Sequence, residues 1–201
     1  NANNVLTDFI ETGVYDRNRP FYTTASPSMD ILISSNLERL IYQLSGSDEA
    51  VRGYMNALNT TGRYAVTEEL KQKIQANFAA GWCSDQAAAD NIAKVFGTEG
   101  YLMDTHTAVA YTVMEQYRQK TGDNALTVVL STASPYKFCS SVLEAMGVRE
   151  MKPGAEIISQ LEEKTRTTAP KPLKALAGKA VRFTGETPKE QMPQVVLDTL
   201  R

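Results

Sequence analysis

The sequence predicts an α/β fold that is rich in helices and contains only two or three short strands. The first observation is that apolar residues recur at helical spacing along most of the chain, often after a capping residue and before a glycine. The second is a nearly continuous, valine-rich apolar run at residues 126–130, which lies between two helical patterns and is typical of a buried strand. The 201 residues are enough for one large domain or two small ones.

The composition excludes several classes of protein. Lysine and arginine number 21 against 23 aspartates and glutamates, and the formal net charge of -2 argues against a dedicated nucleic-acid binder. No apolar run approaches the ~18–20 residues that a membrane span needs, so we expect no membrane partner. Cys83 and Cys139 are too few and too far apart for a disulfide framework or a zinc site, and they indicate two reduced thiols in a cytoplasmic protein.

Five helices are predicted in the first half of the chain. Ser47, Thr67 and Ser84 are the predicted caps of the third, fourth and fifth helices, and Gly97 is the predicted end of the fifth. Between the first and second helices, residues 20–24 have the composition of a strand. The five apolar stripes predict helices over residues 5–12, 37–45, 48–58, 68–78 and 85–96.

The second half combines helices with the buried strand. A helix capped by Asp104 is predicted to run to about residue 120, and the strand at residues 126–130 follows it. Ser134 and Pro135 open the next helix, because a capping serine before a first-turn proline is the favoured order. Two more helices are predicted at residues 157–161 and 188–200. Between them we predict a linker at residues 165–172 and a short strand at residues 181–183. Since so few strands make a poor sheet by themselves, we expect their sheet partners to lie upstream, outside this chain.

The most informative candidate site follows the predicted buried strand, where the chain turns into a helix. Ligands of open α/β sheets bind at the carboxyl ends of strands, and helix N-termini there offer free N–H groups to anions. Ser131 and Thr132 are therefore placed to contact a ligand, unless they serve only the turn. Lys137 lies in the first helical turn, and we interpret it as a solvated or phosphate-facing lysine rather than a Schiff-base lysine.

A second candidate site contains the only histidine. Asp104, His106 and Thr107 lie at the start of a predicted helix, and histidine is the side chain best suited to acid–base chemistry near neutral pH. The positive end of the helix dipole disfavours a charged imidazole at this place. The alternative is a capping turn, in which Asp104 accepts backbone hydrogen bonds and His106 is partly exposed.

Two further polar clusters are weaker candidates. Asn1, Asn3 and Asn4 precede the first helix, where amides either hold a ligand or cap the helix. Residues 26–30 contain two serines and an aspartate at the end of a predicted strand. The sequence has no G-x-S-x-G motif, no glycine-rich phosphate loop and no histidine or cysteine spacing typical of metal ligands, so we expect no metal site.

Together, these stretches resemble threonine synthases. Residues 100–109 resemble an aspartate-proline-histidine-threonine-alanine motif of that family, with Thr105 in place of the usual proline. Several linked motifs in order are far more specific than any one of them. The elements occur in family order up to about residue 147, and the tail fits the family's C-terminal end more loosely. The matching segments are residues 1–9, 13–15, 26–31, 35–39, 100–109 and 131–138.

The resemblance implies a pyridoxal-phosphate enzyme of the tryptophan-synthase-like fold (fold type II), of which this chain is the C-terminal part. Such an enzyme converts O-phospho-L-homoserine and water to L-threonine and phosphate in threonine biosynthesis. The fold places a neutral hydroxyl beside the pyridine nitrogen of the cofactor; Thr132 matches that position best, and Ser131 is the second choice. The weaker candidates for substrate contact are Asn1, Asn3, Asp104, His106, Thr107 and Lys137.

The resemblance also implies that part of the site lies elsewhere in the polypeptide. The family's Schiff-base lysine lies in a serine-phenylalanine-lysine-aspartate motif, and its cofactor phosphate is held by a glycine-rich loop; neither motif occurs here. We therefore expect the catalytic lysine upstream, and this chain alone to be inactive and to lack bound cofactor. We expect residues 1–147 to belong to the large cofactor-binding α/β domain with a helical insertion, and residues 148–201 to form its C-terminal helical tail.

Two alternatives remain open. A non-catalytic helical interaction domain would use the apolar stripes between residues 37 and 96 as a binding surface, although such stripes are more often core. A related phospholyase or dehydratase of the same fold would share the motifs and take another substrate. On either enzyme interpretation the chain is cut from a larger α/β domain, so we expect it to expose apolar surface and to self-associate on its own.

Overall fold

The computed structural model describes residues 1–200, which form ten α-helices and one two-stranded sheet joined by loops and short 3-10 turns. The elements of the first half are α1 (Val5–Thr12), β1 (Val14–Asp16), α2 (Asn36–Ser45), α3 (Asp48–Thr60), β2 (Arg63–Ala65), α4 (Glu68–Gln75) and α5 (Asp85–Glu99). Those of the second half are α6 (Thr105–Thr121), α7 (Cys139–Ala145), α8 (Glu156–Thr165), α9 (Lys171–Lys174) and α10 (Met192–Thr199). Two of the 3-10 turns, Pro27–Met29 and Pro135–Lys137, lie near the candidate site.

The predicted helix starts are confirmed by their caps. The side chains of Ser47, Thr67 and Ser84 each accept a hydrogen bond from the backbone N–H three residues later, which satisfies a donor that has no partner within the helix. The predicted end of α5 is wrong. The helix continues through Gly97 to Glu99, because Gly100, with a φ of +69°, adopts the left-handed conformation that ends it.

The only sheet among residues 1–200 is an antiparallel pair, which pattern reading missed. β1 and β2 pair so that Tyr15 lies opposite Tyr64, and their rings stack with centroids 5.4 Å apart. Phe9 of α1 packs against both rings, with each centroid 5.9 Å away. Strands of three residues are too short to show alternation, so aromatic packing rather than a sequence pattern defines them.

The three strands predicted from composition do not pair in the described part of the chain. Residues 20–24 are held as a loop by side chains, and residues 181–183 are extended and exposed. The prediction of a buried strand at residues 126–130 is wrong for this chain by itself. Leu126, Val128 and Leu130 are 97%, 78% and 73% exposed, because no neighbouring strand covers or pairs with them.

Two apolar cores stabilise the molecule. The first joins α1–α4 and both strands, and the second joins α5–α8. Thr7 Oγ1 of α1 connects the first half to the loop before α5 by donating a hydrogen bond of 2.9 Å to the carbonyl of Gly81. Ile158 and Leu161 of α8 pack in the same core as Leu143 of α7, and the domain boundary expected at residue 147 stays a prediction.

The two cysteines lie buried in the second core, and neither forms a disulfide. Burial raises the pKa of both thiols, so little thiolate forms near neutral pH. We expect Cys83 and Cys139 to react with an aromatic disulfide reagent roughly 100-fold more slowly in the native protein than in urea, since attack requires local opening. Equal rates under both conditions would contradict the burial of these thiols.

None of the helices in residues 1–200 combines the length and apolar character that crossing a bilayer requires. The same residues contain no group of three or more histidine, cysteine, aspartate or glutamate side chains arranged to hold a metal ion.

Candidate functional site

Asp104 is the centre of the candidate site, and its side chain is fully buried. It caps α6 by accepting a 2.9 Å hydrogen bond from the backbone N–H of His106, as the sequence predicts. The same Oδ1 atom lies 3.0 Å from Nδ1 of His106, and Oδ2 accepts a very short hydrogen bond from Oγ1 of Thr107. Asp104 therefore satisfies its buried charge with three donors from the first turn of its own helix.

His106 connects α6 to the loop that precedes α2. Its Nε2 atom accepts a hydrogen bond of 3.1 Å from the backbone N–H of Ser28, and its ring packs on Phe138 with centroids 4.7 Å apart. A backbone N–H can only donate, so Nε2 carries no proton and Nδ1 is the protonated nitrogen that faces Asp104. His106 is thus neutral, and its ring is held by Asp104, by the backbone of Ser28 and by Phe138.

Thr107 brings the two main candidate stretches together. Its Oγ1 atom lies 3.4 Å from Oγ of Ser131, so the start of α6 adjoins the end of the extended segment at residues 126–130. Ser131 and Thr132 are both exposed. Ser134 caps the following 3-10 turn by accepting a hydrogen bond from the N–H of Tyr136, so the predicted cap is confirmed. The α-helix that the sequence predicts directly after this cap begins one turn later, at Cys139.

Asn1 and Asn3 hold the loop at residues 20–30 in place. Nδ2 of Asn1 donates to the side chains of Thr24 and Asp30 at 2.9 Å and 3.0 Å. The buried Asn3 amide donates to the carbonyl of Tyr22 at 2.8 Å and to Asp30 at 3.0 Å, and it accepts from the Tyr22 N–H at 2.9 Å. These bonds replace strand pairing for residues 20–24, which explains why the predicted strand does not form.

One cavity of about 220 Å³ collects three of the predicted site residues. Asn1, Asn3 and His106 line it, together with apolar side chains of α1 and of the 27–31 segment. Lys137 instead lines a separate open depression of about 650 Å³ beside α8, with its Nζ atom 5.9 Å from the centre of the Phe138 ring. Lys137 and the asparagine cluster therefore line different depressions, and Ser131 contacts Thr107 of α6.

The chemistry that these side chains offer is hydrogen bonding by neutral groups. Asp104 has no free role as a general base, because its three donors already occupy both oxygens. Sequence reasoning missed the contacts of His106 with Ser28 and Phe138. Ser28 lies 78 residues from His106, so no local pattern connects them. Phe138 is predicted from its spacing as one residue of an apolar helix face, which gives no sign of a contact with His106.

Removing the Asn3 amide is expected to weaken the loop at residues 20–30. Asn3→Ala removes three hydrogen bonds, and we expect the free energy of unfolding in urea to fall by about 2–3 kcal/mol. Asn4→Ala is the matched control, because the Asn4 side chain accepts a single hydrogen bond from Arg19 and should cost less. Equal losses for the two variants would show that Asn3 does not anchor the loop.

Comparisons with known proteins agree with the resemblance to threonine synthases that the motifs indicate. A family model described as "Threonine synthase, C-terminal" matches residues 107–196. The human protein named threonine synthase-like 1 is 38% identical over 153 residues, which are 75% of this chain and 20% of that protein. Threonine synthase of Saccharomyces cerevisiae is 32% identical over 161 residues, or 73% of this chain and 31% of the yeast protein.

The chain is a relative of the threonine synthases and matches their C-terminal part. It spans between a fifth and a third of the length of these relatives. A crystal structure of yeast threonine synthase superimposes with a TM-score of 0.80 and 27% identity, over 99% of this chain and 40% of that one. A structure titled as pyridoxal-phosphate-bound threonine synthase from Brucella melitensis matches with a TM-score of 0.67 and 35% identity, over 82% of this chain and 38% of that one.

These matches confirm the resemblance and the fold class inferred from the motifs. The chain is the helix-rich C-terminal part of an α/β threonine synthase fold, and its few strands reflect how little of that fold it contains. The roles assigned to Thr132, Ser131 and the weaker substrate candidates stay predictions.

Proposed function

We propose that this chain is the C-terminal part of a pyridoxal-phosphate enzyme that converts O-phospho-L-homoserine and water to L-threonine and phosphate in the cytoplasm. Similarity to the threonine synthases supports the reaction, and the Brucella relative's bound cofactor supports the use of pyridoxal phosphate. The whole reaction needs residues that this chain does not supply, because the yeast enzyme is two and a half times as long as the region matched here.

The observation that carries the proposal is the contact between Thr107 and Ser131. These residues belong to two of the stretches that resemble threonine synthases, and 24 positions separate them in the sequence. Their Oγ atoms lie 3.4 Å apart, and His106 packs on Phe138 beside them. Two motifs selected independently from the sequence therefore form one site, as parts of a single binding pocket should.

The residues at this site fit one edge of the cofactor. Pyridoxal phosphate, when bound, supplies an electron sink for bond breaking next to the amino-bearing carbon. The exposed hydroxyl of Thr132 forms no hydrogen bond within residues 1–200, so it is available to the pyridine nitrogen as a neutral partner. Lys137 and the asparagine cluster line two different depressions, and Thr132 lines neither. We place the cofactor-binding lysine and the phosphate loop elsewhere in the polypeptide, because the motifs that carry them in the family do not occur in this sequence.

The decisive experiment measures products from the full-length protein. With O-phospho-L-homoserine and pyridoxal phosphate, we expect equal amounts of inorganic phosphate and L-threonine, and no phosphate from L-homoserine as the matched control substrate. Phosphate without threonine would favour a related phospholyase of the same fold. If the full-length protein releases no phosphate at all, the proposed function is wrong.

The 201-residue chain alone is proposed to be inactive and to bind no cofactor. After incubation with pyridoxal phosphate and reduction with borohydride, mass spectrometry should find no specific lysine adduct, and the full-length protein treated in the same way should carry one. A stoichiometric adduct on Lys137 of the chain alone would contradict this part of the proposal.

A further inference from the structure

The hydrogen bonds around Asp104 have directions that can be worked out atom by atom. A buried carboxylate only accepts, so the hydroxyl proton of Thr107 points at Oδ2 of Asp104. Thr107 is also the donor in the 3.4 Å contact with Oγ of Ser131, but it has one hydroxyl proton and the very short bond to Asp104 uses it. Asp104 therefore directs the Thr107 proton towards itself and leaves only a weak contact between Thr107 and Ser131.

The same reasoning sets the state of His106 on the other side of the carboxylate. Oδ1 of Asp104 requires a donor at Nδ1 of His106, and the Ser28 N–H requires an acceptor at Nε2. The Thr105 hydroxyl also lies near Nδ1, at a longer distance of 3.4 Å. Only the neutral ring with its proton on Nδ1 satisfies both requirements, since a protonated ring would present a donor to the Ser28 N–H.

We propose that Asp104 is a positioning residue that sets the donor and acceptor directions on both sides of the site. Through His106 it holds the backbone of Ser28, and on its other side it fixes the direction of the Thr107 hydroxyl, which lies beside Ser131. The relevance to catalysis rests on the proposed function, whereas the hydrogen-bond directions are properties of this chain alone.

This role needs an acceptor at the Oδ1 position of residue 104. Asparagine still caps α6 only with its amide oxygen at that position, where the oxygen also accepts from Nδ1 of His106. Its amide nitrogen then faces the Thr107 hydroxyl, which can turn to accept. Alanine at position 104 instead removes the acceptor from Nδ1 altogether.

Nitrogen NMR of the single histidine tests the proposal without any enzyme assay. With ¹⁵N-labelled histidine in the 201-residue chain, His106 gives the only imidazole signals. Near neutral pH we expect Nδ1 to have a pyrrole-type shift and Nε2 a pyridine-type shift. Solid-state spectra give the same readout if the chain self-associates. A pyrrole-type Nε2 in the unmodified chain would overturn the proposal without reference to any variant.

Three variants then separate positioning from stability. In Asp104→Ala we expect the pyridine-type signal of Nε2 to be lost or shared between both nitrogens, whereas Asp104→Asn should keep it. Thr107→Val is the matched control, because it removes only the branch to Ser131 and should leave the tautomer of His106 unchanged. An unchanged tautomer in Asp104→Ala would overturn the proposal, and so would a changed one in Thr107→Val. Either outcome is independent of whether the full-length protein makes threonine.

Discussion

Replacing Thr132 with valine in the full-length protein is expected to lower kcat for phosphate release by roughly 10- to 100-fold, the effect of losing one well-placed hydrogen bond to a reacting group. Valine matches threonine in shape, and the Thr132 side chain is exposed in this chain, so the fold should be unaffected. The absorption spectrum of the bound cofactor should shift as well, since the hydroxyl is predicted to contact its pyridine nitrogen.

Two controls make this result specific. Thr132→Ser keeps the hydroxyl and should restore most of the activity and the original spectrum. Ser131→Ala should have the smaller effect, because Ser131 is the second choice for the cofactor contact and already lies 3.4 Å from Oγ1 of Thr107. Thr132 would be removed from the site if Thr132→Val had the kinetics and the spectrum of the unmodified enzyme.

We expect a charged substitution in the extended segment at residues 126–130 to have different effects in the chain alone and in the full-length protein. In the chain alone, Val128→Lys should reduce self-association measured by sedimentation, because it interrupts an exposed apolar row. In the full-length protein the same change should prevent folding or lower the free energy of unfolding by about 3–5 kcal/mol. There we expect the segment to be a buried strand, and an unpaired buried charge costs that much.

A lysine elsewhere on the surface provides the comparison. Tyr42 of α2 is 53% exposed and lies in the first half of the chain, so Tyr42→Lys should change neither self-association nor folding to a similar extent. Full stability of the Val128→Lys variant in the full-length protein would show that residues 126–130 are not a buried strand of the enzyme.

The helices were predictable because their signals are local. Capping side chains at Ser47, Thr67 and Ser84 bond to N–H groups three residues away, and each apolar stripe needs only the 3.6-residue period. The end of α5 shows the limit of such signals. Gly97 and Gly100 are both suitable helix ends, and the backbone conformation chosen at Gly100 decides between them.

The sequence predicts that three of the candidate residues lie close together, but it does not predict their contacts with distant parts of the chain. Asp104, His106 and Thr107 share one helical turn, so their closeness follows from the sequence. Their other hydrogen-bond partners lie far away in the sequence: Ser28 is 78 residues from His106, and Ser131 is 24 residues from Thr107. No periodic pattern records such pairs, because they form only when separate elements pack.

The sequence alone was sufficient for the family, the helices and the polar residues at their ends, since these depend on motif order and on neighbours within four residues. Tertiary structure decided which strands exist and how the hydrogen bonds run. Residues 126–130 carry every local feature of a strand, yet they remain unpaired here because a strand is completed only by another strand. Likewise, the neutral state of His106 follows from two partners, Asp104 and Ser28, that only the folded chain brings to opposite sides of its ring.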